Sequence, residues 1–120
     1  MTMPTVALFK EAAELAHAEL ADWGAVPEPL SDEVSHTSGR ILTGGGGQFP
    51  ESGYWRCTPG SWRCEIGRAE FCQFLEGECT YTSDEGEVIE IRGGDTAWFP
   101  EGWKGRCDVR RTMGKTYVIL

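Results

Sequence analysis

Two stretches decide how this chain folds: Glu70-Phe71-Cys72-Gln73-Phe74-Leu75-Glu76-Gly77 and Gly93-Gly94-Asp95-Thr96-Ala97-Trp98-Phe99-Pro100-Glu101-Gly102. The first reads as a short strand that ends in a Gly turn. The second reads as a Gly-Asp turn, a short strand and a Pro-x-Gly turn. Gly, Pro and Asp supply the backbone conformations that turns need. Side chains alternate along a strand, so Glu70, Cys72 and Phe74 share one face.

Outward from these stretches, more short strands follow at even spacing. Tyr54 to Thr58 ends at Pro59-Gly60, and Trp62 to Ile66 comes next. Phe71 to Leu75 and Glu78 to Ser83 flank the Glu76-Gly77 turn. Asp84-Glu85-Gly86-Glu87 is a hairpin loop. Val88 to Ile91, Thr96 to Phe99, Arg106 to Val109 and Thr116 to Leu120 complete the set. Such a series indicates an all-β sandwich or barrel.

Residues 1–50 have a different texture. Phe9, Ala13, Ala16 and Leu20 recur at helical spacing between Val6 and Ala21, with Gly24 as a stop, which predicts a short amphipathic helix. Val26-Pro27-Glu28-Pro29-Leu30 is extended, because each proline restricts its predecessor. Ser38 to Thr43 reads as a strand. Gly44-Gly45-Gly46-Gly47 reads as a surface hairpin loop, since a phosphate loop needs a Lys and a following helix. The expected organisation is therefore an N-terminal helix or extended arm (1–50) packing on a barrel core (51–120), one domain overall.

The chain has 120 residues, the size of one domain, and 40% of them are hydrophobic. A formal net charge of -8 repels polyanions, so nucleic acid is not an expected partner. No run of about 18 apolar residues predicts a membrane span. No basic region followed by an apolar stretch predicts a secretory signal. Five cysteines at irregular spacing then read as reduced thiols in a cytoplasmic protein.

In order and spacing these pieces resemble the cupin superfamily. The likeness is narrowest to the small single-domain cupins grouped with the C-terminal domain of (S)-ureidoglycine aminohydrolase and with the ethanolamine-utilisation cupin. It rests on Tyr54 to Gly60, Glu70 to Gly77, Gly94-Asp95 through Pro100-Glu101-Gly102, and the ending Lys115-Thr116-Tyr117-Val118. It runs from Gly53 to the end of the chain. The resemblance implies a double-stranded β-helix (a jelly-roll barrel) and a homodimer.

The resemblance also implies positions for a metal site: His-x-His on one strand, a Glu a few residues on, and a third His after Pro-x-Gly. Only Glu70 stands in place. The His-x-His pair falls on Cys64 and Ile66, or on Arg63 and Glu65, and the third His falls on Gly105. The two histidines, His17 and His36, lie outside the barrel motifs. The usual metal is therefore not expected. Cys64, Cys72 and Cys107 with Glu70 form the one alternative donor set, suited to a soft ion such as Zn.

A carboxylate inside a barrel needs a partner, and Lys115 is the expected one for Glu70. Lys115 and Tyr117 lie two apart on the last strand and face the same way. In the related small cupins a Lys-x-Tyr pair recurs here and faces the interior. Glu70, Lys115 and Tyr117 are thus the candidate polar groups, as ligand contacts or as catalytic residues. Trp62 and Trp103 are the candidate walls, with Trp103 at the barrel mouth. Arg56, Arg63 and Arg106 are expected outside. The leading reading is a metal-free cupin that binds a small polar metabolite. The alternative is a hydrolase or isomerase acting on a ureido, amino or sugar-like compound through Glu70 and Lys115 or a Cys-containing metal site. A third is a partner-binding protein whose N-terminal segment packs on a neighbouring subunit.

Overall fold

The computed structural model describes residues 3–120. Eight strands follow a 3-10 helix at Ala12–His17: β1 Ala21–Ala25, β2 His36–Gly45, β3 Gln48–Cys57, β4 Gly60–Glu65, β5 Glu70–Ser83, β6 Val88–Arg92, β7 Thr96–Phe99 and β8 Lys104–Ile119. All pairings are antiparallel, in the order β1-β2-β3-β8-β5-β6, with β4 also on β8 and β7 also on β5.

The two long strands organise the barrel. Along one edge, β8 pairs first with β4 (Gly60↔Val109 to Glu65↔Lys104) and then with β3 (Cys57↔Met113 to Glu51↔Ile119). Along its other edge it pairs with β5 throughout. On the far edge of β5, β7 takes residues 70–73 and β6 takes residues 78–82. Each long strand is thus shared between two ends of one barrel.

This corrects two expectations. Glu76-Gly77 is not a turn between separate strands. It is an irregularity inside β5, where the register against β8 shifts and Gly77 takes φ +97°. A bulge bends a strand without ending it, and glycine accepts the positive φ. Likewise the expected strands at 106–109 and 116–120 are parts of one strand, β8.

The N-terminal segment also differs. The predicted helix over 6–21 contracts to the 3-10 helix, whose only buried side chain is Leu15. Met3, Val6 and Leu8 are exposed. A helical pattern without a surface to pack on carries little stability. The predicted strand at 38–43 and the glycine hairpin are present, with Gly45↔Gln48 closing the turn. The expected division at residue 50 falls inside β3, and β1 and β2 extend the same sheet.

The core lies between the walls of the barrel. It contains Phe74, Tyr81, Ile91, Phe99, Val109, Met113 and Tyr117 together with all five cysteines. The cysteines are free and act as small hydrophobes. Arg63 and Arg106 point outward into exposed pairs with Asp84 and Asp108. Arg56 is half-buried, with its Nε lacking a partner.

Candidate functional site

The alternation of β5 brings Glu70, Cys72 and Phe74 inward, while Phe71 is exposed outside. Lys115 on β8 stands opposite Phe74 on one side and Trp55 on the other. From there its stem runs through the interior to Glu70. Nζ of Lys115 lies 3.1 Å from Oε1 of Glu70, with the side chains 7% and 14% exposed. The ammonium also sits 4.5 Å from the centroid of the Trp55 ring. Burial opposes its charge, but the Glu70 carboxylate outweighs that, and the Lys115 pKa rises above its ordinary value.

Tyr117, two residues along, donates its hydroxyl to Oε2 of Glu51 at 2.7 Å. Gly53, its register partner, makes this possible. A Cβ at Gly53 would lie 3.0 Å from the Tyr117 hydroxyl and 2.5 Å from the Arg40 carbonyl oxygen. Burial, then the hydrogen bond to Glu51, pushes the Tyr117 hydroxyl well above its usual value.

These groups line a cavity of about 320 Å³. Its polar wall is Glu51, Glu65, Glu70, Lys115 and Tyr117, and its aromatic wall includes Trp23, Trp55 and Trp62. Trp62, one of the two candidate walls, lines this cavity. Trp55 and Trp62 pack at 6.3 Å between ring centroids, tilted by 60°.

Trp103 is a correction. It does not line this cavity but packs against Tyr81 and Phe99, at 5.9 and 5.8 Å, on the far side of those rings. It borders a separate groove with Asp84, Glu85 and Lys104. The cause is Gly105: the Trp103 indole folds back over its bare Cα, and a Cβ there would lie 2.5 Å from Cη2 of Trp103.

That contact bears on the metal that a cupin fold implies. Gly105 occupies the third histidine position, pairs with Cys64 across β4 and β8, and has no room for a side chain. Glu70, the one residue in place, is already taken by the Lys115 ammonium. Burial pushes the Cys64 thiol up to about 11 and the Cys72 thiol up to about 12, and drives Cys107 well above its ordinary value. Thiolates are the metal-binding form. Among the described residues, no group of three or more His, Cys, Asp or Glu is arranged to hold an ion. The structure thus does not assemble Cys64, Glu70, Cys72 and Cys107 into a ligand set. These residues do not fit the usual cupin metal.

Eight lining residues lie outside the predicted set: Trp23, Glu51, Trp55, Glu65, Ile66, Tyr81, Phe99 and Ile119. Glu51 was signalled by alternation, since Glu51, Gly53, Trp55 and Cys57 share a face of β3. Trp23 had no such signal, because its strand follows directly on a segment with helical periodicity.

A barrel of this topology, with its cavity between the walls, defines a cupin. The EutQ-like cupin domain profile matches residues 44–117, and the chain belongs to that family. A DUF861-family protein of unknown function from Pseudomonas syringae superposes with a TM-score of 0.75 at 17% identity, over 86% of this chain and 45% of that one. The chain therefore spans less than half of that protein. A DUF861-family protein from Thermotoga maritima matches at 27% identity and a TM-score of 0.55, over 56% of this chain and 76% of that one. The ethanolamine utilization protein Q of Salmonella typhimurium gives 19% identity and a TM-score of 0.60, over 70% and 68%. Comparison with curated proteins finds no match.

Proposed function

We propose that this cupin binds a small polar metabolite in the cavity around Glu70, Lys115 and Tyr117, without the usual cupin metal. The observation that carries this reading is the Lys115–Glu70 pair at 3.1 Å on the wall of that cavity. The lysine supplies a fixed cation where the fold otherwise holds an ion. Trp55 and Trp62 supply apolar walls, the usual makeup of a small-molecule site. The upward direction of the Lys115 pKa favours binding over proton transfer, because a useful acid–base group titrates near the working pH.

Two further parts belong to the proposal. Five free buried thiols suit a reducing compartment, and we place the protein in the cytoplasm. Phe71 and Trp98 are register partners with both side chains exposed, an apolar stripe that suits a homodimer.

The test has two arms. Elemental analysis of protein purified without chelator is expected to find no stoichiometric transition metal. A thermal-shift screen of small polar metabolites is expected to give hits that disappear in the Glu70→Gln/Lys115→Met double variant. One equivalent of metal per chain, or hits unchanged in that variant, would overturn the reading.

A further inference from the structure

The cavity holds more negative charge than it cancels. It is lined by three carboxylates, Glu51, Glu65 and Glu70, and one ammonium, Lys115. Lys115 at 3.1 Å accounts for Glu70. Glu51 accepts a hydrogen bond from the Tyr117 hydroxyl, which is neutral and leaves the charge in place. Glu65 has Arg63 Nε at 4.0 Å, but Arg63 commits both terminal nitrogens to Asp84, at 2.5 and 2.6 Å. Arg68 borders the adjoining groove, where it stacks 3.7 Å over the Phe49 ring and donates to the Leu120 carbonyl at 2.7 Å. Counting Arg68 still leaves the carboxylates in the majority.

The aromatic wall points the same way. Indole faces attract cations, most strongly where water is excluded. The cavity already contains one such contact, the Lys115 ammonium over Trp55. Trp23 and Trp62 line the same space and, among the described residues, make no cation contact of their own. The volume is at the small end of ligand sites, which span about 300–1,000 Å³.

Building on the binding reading above, we propose that the ligand carries an organic ammonium group, selected by the carboxylates of Glu51 and Glu65 and the indole faces of Trp23 and Trp62. An anionic ligand meets an excess of carboxylates here. A neutral ligand gains only the apolar walls. A small alkylammonium gains both terms.

Choline is a suitable probe, with two controls of the same shape: its neutral isostere, in which carbon replaces the ammonium nitrogen, and the carboxylate analogue of that isostere. Binding is followed by tryptophan fluorescence and calorimetry at constant ionic strength. Choline is expected to bind at least about tenfold more tightly than the isostere. Glu65→Gln, at an exposed position, and Glu51→Gln are each expected to reduce that preference several-fold, with melting curves confirming the fold. Equal binding of choline and isostere, tighter binding of the carboxylate, or a preference unchanged in both variants would overturn the charge assignment and leave the cavity reading standing. No binding of choline, with neutral or anionic hits in the metabolite screen, would do the same. No binding in either experiment would remove the cavity reading as well.

Discussion

Nζ of Lys115 reaches Oε1 of Glu70 at 3.1 Å through the barrel interior, although the two side chains start from different strands, β8 and β5. Among the described residues neither charge has a second oppositely charged side chain within ion-pair distance, so each depends on the other. Desolvation makes an unpaired buried charge expensive.

Lys115→Met is therefore expected to cost about 3–5 kcal/mol in chemical denaturation, because Glu70 is left buried and uncompensated. Glu70→Gln combined with Lys115→Met is expected to recover most of that loss. A double variant no more stable than the single would show that packing of the lysine stem, not its charge, is what matters. The pH dependence has a definite sign. The Lys115 pKa is raised in the folded state, so its contribution is fully present below the ordinary value of 10.5 and is lost only as pH climbs through the higher folded value. Neutral and mildly alkaline conditions leave it intact.

Gly105→His puts back a side chain where related metal-binding barrels place a ligand. Here the new Cβ collides with the Trp103 ring and the Thr82 carbonyl. Overpacking of this kind costs about 1–3 kcal/mol. The variant is expected to melt lower than the parent and to bind no stoichiometric metal. A variant of unchanged stability that takes up Zn or Ni would show that Trp103 yields easily and that the site needs only the missing ligand.

Much of the barrel was legible because alternation and turn residues act locally. The inward face of Glu70, Cys72 and Phe74 and the hairpin at Asp84 to Glu87 follow from a few neighbouring residues. What failed depended on distant partners. Gly77 looks the same in a sequence whether it ends a strand or bulges inside one, and only pairing with β8 decides. Trp103 follows a Pro-x-Gly turn that points it toward a mouth, yet the bare Cα of Gly105 draws it under Tyr81 and Phe99. Lys115 was legible as the partner of Glu70 because a buried carboxylate demands one. The Tyr117–Glu51 bond was not, since it needs the register that sets Gly53 beside Tyr117.

All five thiols are buried, and burial raises Cys57 and Cys64 to about 11 and Cys72 to about 12. Few thiolates exist at mildly alkaline pH, and those lie out of reach of solvent. Ellman's reagent is expected to modify the native protein slowly, with all five cysteines reacting once denaturant is added. Fast reaction of one or more thiols in the native state would reveal local opening of β3, β4, β5 or β8.

Asp108 should set part of the acid stability limb. Arg106 grips its carboxylate from the same strand, with Nη2 at 2.8 Å and Nε at 3.1 Å, and Ser61 on β4 donates to it as well. Foremost among the causes, the Arg106 hydrogen bonds hold its pKa below the ordinary 3.8. A depressed carboxylate stabilises the fold above its unfolded value, and that stability drains away as pH falls through the folded value. The contribution should thus be complete at neutral pH and vanish in the strongly acidic range. The side chain is 30% exposed, so screening keeps the effect to about 1 kcal/mol or less. Asp108→Asn retains the shape and one acceptor oxygen for Ser61. Its unfolding free energy is expected to be slightly lower at pH 7 and to converge on the parent's as pH falls into the strongly acidic range. Parallel curves for the two proteins across the acid range would show that Asp108 titrates alike in the folded and unfolded chain, and that the Arg106 contact carries no stability.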